Sequence, residues 1–197
     1  MIDAGSLTIL GAIVNDGALG VVGDALTVNG AVTGSGKATI AGGTLDFMFT
    51  FTQNVGFSVS GELELGRSQS YTGTVFGFSR RGQTSLDLAD IAFVNSSEAS
   101  YSGTASGGVL TVTDGTHTAH ITLHGDYLGS IFTASSDGRG GTIVVDPTTP
   151  AAQIPPPHQF IAAMARLGAS SASVSPPVGP AWHESLPLLT SPRTQMA

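Results

Sequence analysis

The chain has 197 residues, with 7 Lys and Arg against 14 Asp and Glu, a formal charge of −7. Only 11% of residues are charged, Gly accounts for 27 and Pro for 10, and there is no Cys. An acidic chain whose only lysine is Lys37 lacks the clustered cations that neutralise phosphates, which excludes a nucleic-acid binder. The missing Cys excludes disulfides, thiolate metal sites and a cysteine nucleophile, and no apolar run reaches the roughly 18–20 residues of a membrane-spanning helix.

Residues 1–20 contain no Lys or Arg and carry Asp3 and Asp16, so they do not read as a secretory leader. Repetition begins at once. Leu7, Leu26, Leu45 and Leu63 sit in similar segments (Ser6–Ile9, Ala25–Val28, Thr44–Phe47, Glu62–Leu65) at spacings of 19, 19 and 18. Half-period segments lie between them, at Leu19–Val22, Lys37–Ile40 and Phe57–Val59, bounded by glycine turns such as Gly34-Ser35-Gly36 and Gly42-Gly43. Within each segment apolar residues alternate with small or polar ones, the period of a half-buried strand. A coil of about 19 residues cannot bury its apolar face alone, so stacked coils must share one core. Residues 1–66 are therefore expected to form parallel β-solenoid coils, an evenly spaced antiparallel sandwich being the competing arrangement.

Residues 67–146 keep the β character and lose the period, and are expected to form an irregular β module. Asp114-Gly115, between Val109–Val112 and Thr116–Leu123, predicts a two-residue hairpin. Pairing Thr113 with Thr116 puts Leu110, Val112, Ala119, Ile121 and Leu123 on the core face, with His120 and His124 on the wet face. A last strand is expected at Thr142–Val145. Residues 147–157 read as a Pro-rich linker. Residues 158–168 read as a short helix with Phe160, Met164 and Leu167 on one face and Gly168 as its cap, suited to closing the open end of the solenoid. Residues 169–197 read as a disordered Ser- and Pro-rich tail.

Two passages resemble a known class. Leu26-Thr27-Val28-Asn29-Gly30-Ala31-Val32-Thr33-Gly34-Ser35-Gly36-Lys37-Ala38-Thr39-Ile40 resembles the coil repeats of bacterial autotransporter-type passengers and related adhesins. The segments Ser70–Val75, Leu86–Phe93, Gly108–Ala119 and Ser135–Thr142 resemble the C-terminal module of large Gly- and Thr-rich exported repeat proteins of Gram-negative bacteria. The likeness spans roughly residues 5–146 and contains no catalytic motif. It implies a non-enzymatic structural or adhesive role at the cell surface or outside the cell, as the C-terminal portion of a longer repeat protein. Host or matrix surface glycans or proteins are the implied partners. Such a passenger's translocator would be a closed membrane barrel; the chain instead ends Arg193-Thr194-Gln195-Met196-Ala197, so none of its own is expected.

No residue is assigned to catalysis, cofactor binding or metal binding, and no cofactor is expected. Asp137-Gly138-Arg139-Gly140-Gly141-Thr142 departs from the calcium nonapeptide pattern, and Arg139 places a cation where carboxylates are needed. It reads as a turn. On a strand, residues four apart are ~13 Å apart, so His120 and His124 cannot share an ion, and His117 is expected to pack opposite Val112. Glu62 and Glu64 share a strand face at ~6.5–7 Å, near the spacing of inverting glycosidases, but read as a solvated face. Asp87 and Asp90 face opposite sides and read as turn caps. Gly34-Ser35-Gly36 is no nucleophile elbow, and Asn95-Ser96-Ser97 is a chance glycosylation sequon. The alternatives are a polysaccharide-active β-helix enzyme using a carboxylate pair, or a type I secretion substrate that binds calcium elsewhere in a longer parent.

Overall fold

The computed structural model describes residues 5–147. The expected linker beyond Pro147, the helix over 158–168 and the tail over 169–197 fall outside the described residues. What is described is all-β. The first coil is β1 (Leu7–Ile9), β2 (Ile13–Val14) and β3 (Ala18–Val22); the second is β4 (Ala25–Val28), β5 (Val32–Thr33) and β6 (Lys37–Ala41). The third is β7 (Thr44–Phe47) and β8 (Asn54–Phe57), and the fourth β9 (Gly61–Leu65), a 3-10 turn at Ser68–Ser70 and β10 (Thr74–Phe76). There follow β11 (Thr84–Leu88), β12 (Ala99–Thr104), β13 (Gly107–Thr113), β14 (Thr118–His124), β15 (Thr133–Ser136) and β16 (Thr142–Val145).

The coils stack in parallel register as the spacing requires. Leu7 pairs with Leu26, Leu26 with Leu45, Leu45 with Leu63 and Leu63 with Leu86. A second column runs Ile9, Val28, Phe47, Leu65, Leu88 on the same face. The opposite sheet contributes Leu19, Ala38, Val55, Val75 and Leu123 in one row. From Leu26 to Leu86 the leucine column is essentially inaccessible to solvent, because each coil covers the apolar face that its neighbour cannot cover alone. The third side is short. Only β2 and β5 pair there, and Phe51 continues the row as an isolated bridge to Val32. Phe51 stacks on Phe47 at 3.7 Å between centroids and faces Tyr71 at 5.9 Å.

Polar side chains tie this side together. Gln53 is buried; its Nε2 donates to the carbonyls of Asn15 at 2.8 Å, Thr33 at 3.2 Å and Gly34 at 3.0 Å, and its Oε1 accepts from Asn15 Nδ2 at 2.8 Å. One amide thus links backbone carbonyls of two other coils, of which those of Asn15 and Thr33 also accept the backbone N–H groups of Gly36 and Asn15.

Parallel stacking continues past residue 66. β11 pairs parallel with β9 over five residues, and β10 pairs parallel with β8. The period is hidden there because Leu63 and Leu86 are 23 residues apart, the extra length lying in turns and not in the strands. The stack then changes character. β16 pairs antiparallel with β11, and β15 antiparallel with β16. On the other sheet β14 pairs parallel with β10, but β13 and β12 follow antiparallel.

The hairpin differs in detail from its sequence expectation. Thr113 pairs with Thr118, not Thr116, so the loop holds four residues. A two-residue turn needs positive φ at Asp114, and among the described residues only glycines have positive φ. Instead the Asp114 carboxylate accepts the N–H groups of Thr116 at 2.7 Å and His117 at 2.6 Å. The slip is two residues, so the faces are unchanged and Leu110, Val112, Ala119, Ile121 and Leu123 are all buried. Strands β12 and β15 have no counterpart in the sequence reading, because their Ser, Thr, Ala and Gly residues carry little apolar periodicity.

Candidate functional site

The outward positions of the leucine-bearing sheet form a row of their own. Thr27 lies beside Asp46, Asp46 beside Glu64, and Glu64 beside Asp87. Each acid directly follows a core leucine: Leu45-Asp46, Leu63-Glu64, Leu86-Asp87. In-register parallel strands are ~4.8 Å apart, so leucines stacked inside force carboxylates to stack outside. Glu62 flanks the row, two residues before Glu64, and accepts a hydrogen bond from Ser85 Oγ at 2.9 Å. Oxygens of Glu62, Glu64 and Asp87 all lie within 4.8 Å of one another.

This is not the solvated face expected of Glu62 and Glu64. Glu64 is buried and Asp87 is 0% exposed. The cause is the antiparallel β16, which brings the turn 137–141 over the row. Asp137 Oδ1 gathers the backbone N–H groups of Arg139 at 2.7 Å, Gly140 at 2.8 Å and Gly141 at 2.8 Å. That shapes the turn so that Arg139 reaches back, donating from one terminal nitrogen to Glu64 Oε2 at 3.1 Å and Asp87 Oδ2 at 3.2 Å. The guanidinium comes from the solvent side, its side chain 63% exposed.

One cation serves five carboxylates: Asp46, Glu62, Glu64, Asp87 and Asp137. Burial, then the charges of Glu64, Asp137 and Glu62, push the Asp87 carboxyl up to about 7, with Arg139 opposing. Burial and the neighbouring Asp46 raise Glu64. Burial raises Asp46, with a Thr27 hydrogen bond opposing. For Asp137 burial works against ionisation, but its three backbone donors and Arg139 hold it below the usual range. Two buried oxygens, Asp46 Oδ1 and Asp87 Oδ1, have no hydrogen-bond partner.

The other candidates resolve into local structure. Asp87 is a member of the acid row and caps no turn. Asp90 does cap one: it accepts the N–H of Ser68 at 2.9 Å and the Ser68 hydroxyl, and lies against Gln69. His117 is not packed opposite Val112. It is exposed on the longer loop, its Nδ1 2.8 Å from Asp114 Oδ2. His120 meets Thr111 Oγ1 at 3.2 Å and His124 lies against the Phe76 ring at 4.9 Å, both on the exposed face of β14 and in separate surroundings. Asn95 folds the sequon into a local turn, accepting from Ser97 N at 2.9 Å and Oγ at 2.6 Å. Gly34-Ser35-Gly36 is a turn in which Ser35 N donates to Asp16 Oδ1 at 2.9 Å.

From sequence, Glu62 pairs with Glu64 and Asp87 with Asp90 while Arg139 stands in a separate turn, and nothing joins Asp87 and Arg139 to the two glutamates. The recurring leucine-acid pair was the available signal. No family model and no curated protein matches the chain.

Proposed function

We propose that this chain is the closing end of a structural β-solenoid: a non-enzymatic, adhesive part of a bacterial secreted or cell-surface repeat protein, with further coils stacking on β1, β2 and β3. One observation carries the closing-end part of this reading, the contrast between the two ends of the stack. Among the described residues β1, β2 and β3 each pair on one side only, and they present apolar side chains, with Leu7 43%, Leu10 82% and Val14 75% exposed. Such an edge is a template for another parallel coil. At the far end the edge strands are β12 and β15, antiparallel to the strands they border and built from residues such as Ser100, Ser102, Thr104, Ser135 and Ser136. Polar, antiparallel edges discourage further addition. The outward Thr and Ser rows supply many weak polar contacts for surface glycans or proteins.

The test is to place two coils copied from residues 25–43 ahead of residue 5. The expected result is a higher Tm, a single cooperative transition and protease resistance of the added coils. Added coils that stay protease-sensitive, with an unchanged Tm, overturn the closing-end reading. Absence of saturable binding of the extended rod to panels of immobilised matrix proteins and polysaccharides overturns the adhesive part.

The convergence of Glu62, Glu64 and Asp87 favours a second reading, a polysaccharide-active enzyme. Against it, Asp87 is fully buried with its Oδ2 held by Arg139, and the clefts of about 300 Å³ at Tyr101, Tyr127 and Phe132 and about 380 Å³ at Thr39, Asn54 and Phe76 are lined by other residues. Release of reducing sugar by the chain, lost in E64Q, would replace the structural reading with this one.

A further inference from the structure

We propose that Glu62, Glu64 and Asp87 form a calcium site in which the ion and the Arg139 guanidinium compete for the same carboxylates. The donor set consists of carboxylate oxygens alone, which suits a hard cation and not a thiolate- or imidazole-seeking metal. Two oxygens on one calcium, each at 2.3–2.6 Å, can be at most about 5 Å apart, and the three carboxylates lie within 4.8 Å of one another. Magnesium dehydrates reluctantly and demands near-ideal octahedral geometry, which suits it less to carboxylates fixed on two strands.

The acid row alone would be no more than a charged face. The further observation is Asp87, fully buried among these carboxylates, with Oδ1 lacking any partner. Arg139 reaches only Oδ2 and leaves this oxygen bare. A buried carboxylate oxygen without a partner carries the full cost of its desolvation, and a cation held between Asp87 and the two glutamates would offset that cost. Asp46, whose Oδ1 is also buried and unpartnered, adds negative charge from the adjoining strand. Charge balance favours exchange as well, because one guanidinium faces three carboxylates directly and two more close by. The exchange is sterically simple: Arg139 sits in the middle of a turn held by Asp137, and its side chain already lies mostly in solvent. Swinging outward, it would open the solvent side of the cluster to calcium-bound water.

The experiment titrates calcium chloride into the EDTA-stripped full chain, followed by calorimetry and thermal melting, with magnesium chloride as the parallel arm. The expected result is saturable calcium binding with a dissociation constant of about 10⁻⁴–10⁻³ M, the range of extracellular calcium modules, a rise in Tm and weaker binding of magnesium. R139Q should tighten calcium binding at least tenfold, because it removes the competitor. E62Q, at a half-exposed position that leaves the core intact, should weaken binding at least tenfold, and D87N should abolish it. No calcium heat or Tm shift in the wild-type chain up to 10-fold above that range overturns the proposal. So does binding seen only in R139Q, which would make Arg139 the permanent occupant, and so does binding that E62Q leaves unchanged.

Discussion

The four N-terminal coils and the closing module use the same vocabulary of short strands, glycine turns and Thr-rich faces, but end their sheets differently. In the coils every strand of the two large sheets except β1 and β3 lies between parallel, in-register neighbours, and burial comes from the repeat. In the closing module, β12–β13–β14 and β15–β16 fold back on themselves, and burial comes from long-range packing such as the Tyr101, Tyr127 and Phe132 cluster. The difference is that antiparallel pairing replaces parallel pairing at this edge of both large sheets among the described residues. The same reversal carries Arg139 over the acid row, so the closing device and the candidate site are products of one strand turn.

The strongest test of that contrast compares two rungs of one column. Leu45→Ala, in the middle of the stack, should cost about 2–5 kcal/mol, whereas Leu7→Ala, at the exposed edge, should cost less than about 1 kcal/mol, both measured by urea denaturation. Equal costs would mean that the N-terminal edge is covered, and the contrast between the ends would fail.

The next effect lies where the two regions meet and depends on pH. Asp87 is raised from 3.8 to about 7, so between these values the native state holds a proton that the unfolded chain has lost. Its contribution to stability is therefore present at low pH and declines as pH rises from about 4 to about 7. The charged groups acting on it are Glu64, Asp137, Glu62 and Arg139. In calcium-free buffer D87N should flatten this slope and stabilise the protein at pH 8. At about 1.4 kcal/mol per unit, the gain is on the order of a few kcal/mol. A slope unchanged in D87N would show that the row titrates elsewhere.

Turn glycines sharpen the comparison further. Gly43 has φ +78°, and an added Cβ would run into the Asp24 carbonyl oxygen of the coil beneath. Gly115, in the hairpin loop, has φ +90° and open space around it. Gly43→Ala should therefore cost about 1–3 kcal/mol, and Gly115→Ala about 1 kcal/mol from the backbone alone, both read as shifts in denaturation midpoint. An effect as small as that of Gly115→Ala is expected at the last coil, where Asp90→Ala removes the acceptor for Ser68 and should cost about 1 kcal/mol in the same assay.

Sequence alone determined the solenoid. Leucines 19 apart with alternating neighbours admit few ways to bury themselves, and Leu7, Leu26, Leu45 and Leu63 stack as their spacing demands. The buried face of the β13–β14 hairpin was equally legible, because alternation survives a two-residue change of register. Where the stack ends, what lies over its acidic row and which residues meet there were decided only by the tertiary structure. Leu86 and Arg139 are joined to the coils through loops of irregular length, and local periodicity carries no information about pairing partners so distant in sequence. The carboxylates show this most plainly. Glu64 and Asp87 look like surface residues on their own strands, and become a buried pair only because β16 runs antiparallel to β11 and brings one arginine with it.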